Sequence, residues 1–189
     1  MTYLGLGLLV RTETKTGLWY EGSIRGGRST SDYNGNTASY DGSNLYYAAH
    51  LGIGKEIKLK EHAAFSPYLR YFYSHQNSLT STLTSGEVYD FGSVDSHRVR
   101  VGFRYTHTVS EANTFYAGLA WEYEFGGEAT ATYQACSAPS PSLKGSSGTL
   151  ELGYRFTPKG QPLTYDLRVT GRQGIRRGFT GGAHINWAF

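Results

Sequence analysis

Every second residue is apolar through most of this chain, and no other feature of the sequence restricts its fold as much. The segment RVRVGFRYT places Val101 and Phe103 on one side and arginines on the other. The segment TFYAGLAWEYEF places Leu119 and Trp121 on one side and glutamates on the other. Side chains alternate faces along a strand, so this period of two predicts β-strands and not helices. If the two segments pair antiparallel, arginines and glutamates share one face.

Some nine segments carry this alternation, which predicts an all-β fold, an antiparallel up-and-down β-barrel. The composition agrees, because 16 Tyr suit a pleated sheet while 25 Gly would weaken helices. At 189 residues, the chain is expected to form one domain, residues 1–189. The other seven segments are TYLGLGLLVR, LWYEGSIRGGR, NLYYAAHLGIG, PYLRYFYSH, TLELGYRF, LTYDLRVTGR and GGAHINWAF.

The polar connections between these segments are alternately long and short. A long stretch rich in Asn, Gly, Ser and Asp surrounds Asn34, two further long loops surround Ser85 and Cys136, and a fourth long loop is expected around Ile175. Residues 55–65 are the least regular of the expected short turns. An up-and-down sheet gathers its long loops at one end, as transmembrane barrels do. We expect that end to be extracellular.

The apolar side of the segments favours contact with lipid. The chain has no run of roughly 20 apolar residues, which excludes a helical membrane protein but not a barrel. The polar side mixes both charge signs with Gly and Ala, which suits a wet, ion-paired interior. A soluble ligand-binding barrel with its apolar side inward is the alternative. The aromatics near segment ends, which favour a membrane girdle, are Tyr20, Tyr47, Tyr73, Tyr105, Phe125, Phe156 and Phe189.

Several segments resemble the C-terminal translocator domain of bacterial autotransporters, the type V secretion proteins. They are PYLRYFYSH, RVRVGFRY, FYAGLAWEYEFGGEATA, PSLKGSSGTLELGYRF and GRQGIRRGFTGGAHINWAF. The resemblance implies a twelve-stranded barrel in the outer membrane of Gram-negative bacteria, with a helix through its pore, that carries a secreted passenger to the cell surface. Nine strands would be part of that barrel, so the chain is expected to begin some three strands into it.

The resemblance also implies three partners, which are outer-membrane lipid, the β-barrel assembly machinery and a passenger domain. The last strand resembles the signal that this machinery reads, with Ile185, Trp187 and Phe189 in the signal positions and His184 where Gly is common. A nucleic-acid partner is not expected, because the net charge is only +3 and the basic residues are spread along the chain.

Charged residues on the polar side are the candidate site. They could form a selectivity constriction or contact a passenger linker, or they could form an ion-pair network that only fills the barrel. These lumen charges are Glu21, Arg25, Arg98, Arg100, Arg104, Glu122, Glu124, Glu151, Arg155, Asp166 and Arg168.

No cofactor-binding or metal-binding pattern emerges from the sequence. The six His are scattered, and the GIGK segment lacks the rest of a phosphate loop. Asp95, Ser96, His97 and His75 are the only combination that an enzyme site at the barrel rim could use, and polar residues of a mobile loop are the preferred explanation for them. The sequence therefore predicts a translocator without enzyme activity. The alternatives are an outer-membrane enzyme with a rim site and the soluble barrel.

Overall fold

The computed structural model describes residues 2–35, 39–134 and 136–187. Phe189, expected in the assembly signal, lies outside these described residues. No helix within them is long and apolar enough to cross a membrane. Their strands are β1 (Thr2–Glu13), β2 (Leu18–Asn34), β3 (Ser39–Lys55), β4 (Ile57–Lys60), β5 (Ala63–Gln76), β6 (Leu79–Thr82), β7 (Val88–Phe91), β8 (Val94–Ser110), β9 (Asn113–Glu124), β10 (Ala131–Tyr133), β11 (Cys136–Ser137), β12 (Gly145–Phe156), β13 (Leu163–Gly174) and β14 (Gly178–Trp187).

Nine long strands form one antiparallel sheet that curls into a half-barrel. Their order is β1-β2-β3-β5-β8-β9-β12-β13-β14, and β4 pairs with β5 as an addition. Each of these nine long strands therefore lies beside the next long strand along the chain, which is an up-and-down topology. The predicted all-β antiparallel fold is confirmed. Among the described strands, none pairs with the free edge of β1 or of β14, and these two strands run in the same direction.

The side chains of this sheet divide into two faces, as the alternation predicts. Leu119 and Trp121 are each 51% exposed, whereas Glu122 is only 1% exposed. Side chains that lie two strands apart meet on the face of Glu122, which makes that face the concave one. We call it the inner face and the opposite one the outer face. Exposed apolar side chains of the outer face include Leu6, Leu8, Ile24, Leu51, Leu69, Val101, Leu119, Trp121, Leu150, Leu152, Leu167 and Val169.

The connections differ from the sequence prediction in three places. Residues 32–44 were expected to be turn, but β2 continues to Asn34 and β3 begins at Ser39. The connection around Ile175 was expected to be long, but it spans only residues 175–177. Residues 55–65 contain β4, which pairs with β5 through a register shift between Lys58 and Lys60. Backbone pairing beyond the alternating segments explains the first and third differences, since polar residues can also complete a ladder.

The two longest connections were expected to be loops, and they are folded instead. Strands β6 and β7 form a hairpin in the first, and β10 and β11 form a short pair in the second. Strand β10 also pairs with β7, so the two connections make one four-stranded sheet. This pairing joins residues far apart in the chain and leaves no local periodic signal, which is why the sequence did not predict it.

Glycines on the inner face leave gaps that side chains from neighbouring strands fill. Gly153 of β12 lies between Tyr116 of β9 and Arg168 of β13 in the register. The Tyr116 ring lies across Gly153, and its hydroxyl donates a hydrogen bond to Asp166 on β13 at 2.6 Å. Trp19 lies across Gly54 in the same way. Each gap therefore lets one side chain bridge three strands.

We expect that replacing Gly153 with Ala will destabilise the sheet. The new Cβ would lie 2.0 Å from Cζ of Tyr116, so the ring must move and its bond to Asp166 is lost. Overpacking together with a lost buried hydrogen bond costs about 1–3 kcal/mol. The free energy of unfolding of the full chain in detergent micelles measures this loss.

Gly181 provides the matched control, because it is also a strand glycine and no atom lies within 4 Å of a Cβ added there. Gly181→Ala should leave the unfolding free energy unchanged. Equal effects of the two substitutions would contradict a role for the gap at Gly153.

Candidate functional site

The antiparallel register sets the charged side chains of the inner face in rows. One row begins with Arg11 of β1 and Glu21 of β2 and reaches Arg70, Arg100 and Glu122 on β5, β8 and β9. Only Gly52 of β3 interrupts it, between Glu21 and Arg70. The alternation of each strand aims these side chains to the same face, so opposite charges meet without any loop to position them.

Glu21 is the centre of the first group of charges. Its carboxylate lies 2.6 Å from Nε of Arg70, 3.3 Å from Nε2 of His50 and 3.6 Å from Nη1 of Arg11. The Arg70 contact crosses Gly52, which has no side chain to block it. The Arg11 guanidinium also lies over the Trp19 ring, 4.4 Å from its centroid. Glu21 thus ties together four strands.

Glu122 and Glu124 of β9 form the second group and are the most deeply buried charges of the inner face, each 1% exposed. Arg100 donates to one oxygen of Glu122 from Nε at 2.9 Å and from Nη2 at 2.7 Å. Nη1 of Arg98 lies 3.8 Å from the other oxygen, and Nε of Arg176 lies 3.9 Å from it. One carboxylate therefore faces three guanidinium groups.

Glu124 is held by hydrogen bonds from one strand, β8, and from two connections. The Ser96 hydroxyl donates to it at 2.6 Å, the His97 backbone N–H at 2.8 Å and the Gly126 backbone N–H at 3.1 Å. Arg176 adds a charged bond at 3.2 Å. A buried carboxylate needs such partners to stay ionised, because removing it from water is costly.

A third group joins the strands near the far edge of the sheet. Nη2 of Arg104 lies 2.6 Å from Glu151 across Gly118. Asp166 accepts the Tyr116 hydroxyl and lies 3.2 Å from Nη2 of Arg155. Beside this group is a cavity of about 640 Å³. Five arginines and one glutamate line it, which makes its charge positive.

The structure places the expected lumen charges together on the inner face, and it adds partners that the sequence did not single out. Arg70 and Trp19 follow the alternation and could have been selected by it. Arg176 belongs to the connection between β13 and β14, where no periodicity applies. Its side chain folds back over the inner face, and its backbone N–H donates to Ser147 at 3.0 Å.

The polar residues that a rim enzyme would need are divided between the two faces. His75 bonds Asp95 at 2.9 Å on the outer face, and the Tyr71 hydroxyl meets Nδ1 of His97 at 2.7 Å there. Ser96 points to the inner face and donates to Glu124. The strand alternation therefore keeps the serine away from both histidines and supports no nucleophile–base pair. The described residues also gather no metal-binding cluster of His, Cys, Asp or Glu.

Two of the three expected assembly-signal residues lie on β14. Ile185 is 68% exposed and Trp187 is 63% exposed, and both belong to the outer face at the sheet edge. His184 alternates with them, and its Nε2 lies 3.2 Å from Nη2 of Arg168 on the inner face.

Comparison with known families decides what kind of sheet this is. The family model of the autotransporter beta-domain matches residues 1–170. The chain belongs to that family. Autotransporter β-domains are translocators of the bacterial outer membrane, and the half-barrel with an apolar outer face agrees with that location. No curated protein matches the chain.

Neutralising Glu122 in this autotransporter domain should weaken the sheet. Glu122→Gln leaves Arg98, Arg100 and Arg176 with one fewer counter-charge, and removing one partner of a buried ion pair costs about 3 kcal/mol. We expect a loss of that size in the unfolding free energy of the full chain in detergent micelles.

The control is the exposed pair of Glu111 and Lys159, whose charged atoms lie 2.6 Å apart with both side chains at least three-quarters exposed. Glu111→Gln should have no resolvable effect, since exposed pairs contribute little. If Glu122→Gln were also silent, the ion-pair group would not stabilise the sheet.

Proposed function

We propose that residues 1–189 act as one outer-membrane translocator domain that anchors a passenger at its N-terminal side and helps to export it to the cell surface. The observation that carries the proposal is the division of one curled sheet into an exposed apolar face and an ion-paired inner face. Burying apolar surface away from water contributes roughly 25 cal/mol of stabilisation per Å². In water, each exposed apolar side chain of the outer face would lack this stabilisation. Lipid around the outer face removes that penalty.

The inner face suits a polar route through the membrane. Its arginines and carboxylates are already paired with each other across strands, for example Arg100 with Glu122 and Arg104 with Glu151. A passing polypeptide therefore meets a polar surface on which many charges already have partners. The same pairs are also consistent with the alternative, in which the network only fills the barrel.

The last strand supports the β-barrel assembly machinery as a partner. Ile185 and Trp187 present apolar side chains from an edge strand, where another protein can reach both the side chains and the unpaired backbone. By sequence, Phe189 extends the same series. We assign these three residues to the assembly signal.

A fusion experiment tests the proposed function. A reporter passenger is joined to the N-terminus of the full chain and expressed in Gram-negative cells. We expect the chain in the detergent-extracted outer-membrane fraction, with gel mobility that changes on heating, and a reporter that protease removes from intact cells. A chain recovered in solution without detergent would overturn the membrane assignment. A membrane-bound chain with an internal reporter would overturn export alone.

Charge placement provides a sharper test of the two faces. Leu150 and Thr149 are neighbours on β12 and point to the outer and inner faces. A glutamate at residue 150 would lie in hydrocarbon and should destabilise the folded chain in bilayers by about 1–2 kcal/mol.

The matched substitution Thr149→Glu places the same charge opposite Arg172 in the register and should be tolerated. Unfolding of both variants in lipid vesicles measures the difference. Equal loss in the two variants, or a greater loss for Thr149→Glu, would contradict lipid contact at the outer face.

A further inference from the structure

Stacked aromatic rings continue the inner face beyond the main sheet. Tyr33 of β2 stacks on Tyr40 of β3 with ring centroids 5.6 Å apart, and Tyr40 stacks on Phe91 of β7 at 5.6 Å. Phe91 is followed by Tyr89 at 6.3 Å, and Tyr89 stacks on Tyr133 of β10 at 5.2 Å. These five rings, which we call the aromatic ladder, join the β2–β3 hairpin to the four-stranded loop sheet.

The ladder lies on the same side as the charged network. Tyr33 and Tyr40 are partners in the β2–β3 register. Along β2, Tyr33 has the same alternation phase as Glu21, and along β3, Tyr40 has the same phase as His50. Both reference residues belong to the inner face. The ladder therefore begins where the inner face ends, at the long-connection end of the sheet.

A groove of about 590 Å³ runs beside the ladder. Tyr40, Tyr89 and Phe91 form its aromatic wall, and Ala131, which pairs with Phe91 in the register, and Ala138 also line it with small side chains.

Polar residues lie at the border of this groove. Ser85 and Glu87 are at its rim, where the Ser85 hydroxyl donates to Glu87. This bond lowers the pKa of Glu87, so the rim stays negative in mildly acidic medium. The groove is thus apolar inside and acidic at its border.

Hydrogen bonds hold the loop sheet in place against β3. The Ser81 hydroxyl donates to the Asp41 carbonyl at 3.1 Å, and the Thr84 backbone N–H donates to the Ser39 carbonyl at 2.9 Å. Ser81 itself is buried. The groove is therefore a preformed surface, and a ligand need not order the loops in order to bind.

We propose that this groove binds an extended segment of the exported polypeptide as that segment leaves the inner face. The proposal rests on the proposed function, because the occupant is the exported chain. Continuity with the inner face determines which molecule reaches the groove, since lipid contacts the opposite face. Tyrosine-rich walls suit a polypeptide, because Tyr offers a large contact area, a polar tip and little rotamer entropy to lose. The acidic rim favours segments that carry basic residues beside apolar ones.

Site-specific photo-cross-linking tests the proposal. A photoreactive phenylalanine analogue replaces Tyr89 in the full chain, which carries an N-terminal reporter passenger. A disulfide loop in the passenger stalls export for the cross-linking step, and the same fusion with that disulfide reduced is used to score the reporter at the cell surface. Val88 is the matched control, because it is the neighbouring residue on β7, is 46% exposed and does not line the groove. We expect several-fold more reporter cross-linked from position 89 than from position 88.

A second pair of cross-linking positions keeps the proposal testable if a variant of the first pair misfolds. Tyr133 and Thr132 are neighbours on β10, with Tyr133 in the ladder and Thr132 paired with Asp90. Heat-modifiable mobility reports whether each variant folds.

Three outcomes decide the question. Cross-links from 89 and 133 that exceed those from 88 and 132 support the groove as the binding surface. Surface-exposed reporter with equal or absent cross-links from the two ladder positions overturns the groove while leaving translocation intact. No reporter at the surface in the unsubstituted fusion overturns the proposed function and the groove together.

Discussion

Opposite charges set face to face by an antiparallel register are the interaction on which the rest of this structure depends. Arg100 meets Glu122 because β8 and β9 pair in one register, and a shift of one residue would place the two side chains on opposite faces of the sheet. Desolvated charges are costly when unpaired and tolerable when paired. The inner face can therefore be buried and polar at once, and the outer face carries most of the apolar side chains.

The two faces form a single physical arrangement. An apolar face as exposed as that of Leu119 and Trp121 is a liability in water, since it invites association with any other apolar surface. Inside a bilayer the same face is surrounded by a solvent of matching polarity, and between the two free edges the backbone groups of each strand are satisfied by neighbouring strands. Membership of the autotransporter β-domain family implies the outer membrane. The exposed apolar side chains of the outer face favour the same location.

Much of the fold could be predicted from the sequence because the period of two is a local property. The alternation located the nine long strands and assigned Glu122 and Leu119 to opposite faces, as the structure has them. The same rule separates Ser96 from His97, but it was not applied there because both residues precede the alternating segment, which was taken to begin at Arg98. Pairing of β7 with β10 and the inward fold of Arg176 depend on residues far apart in the chain, so no local pattern contains them.

The glycine gaps have a consequence for how such a sheet is put together. Tyr116 fits only where a strand two positions away offers Asp166 and the strand between offers Gly153. A strand that slid by two residues would keep its faces correct and would satisfy the alternation, yet it would bring Glu151 or Arg155 under the ring. Neither the backbone hydrogen bonds nor the hydrophobic pattern distinguishes a strand shifted by two residues from one in the correct register. Because the Tyr116 ring fits only over Gly153, β12 can join β9 at a single register during assembly of the sheet.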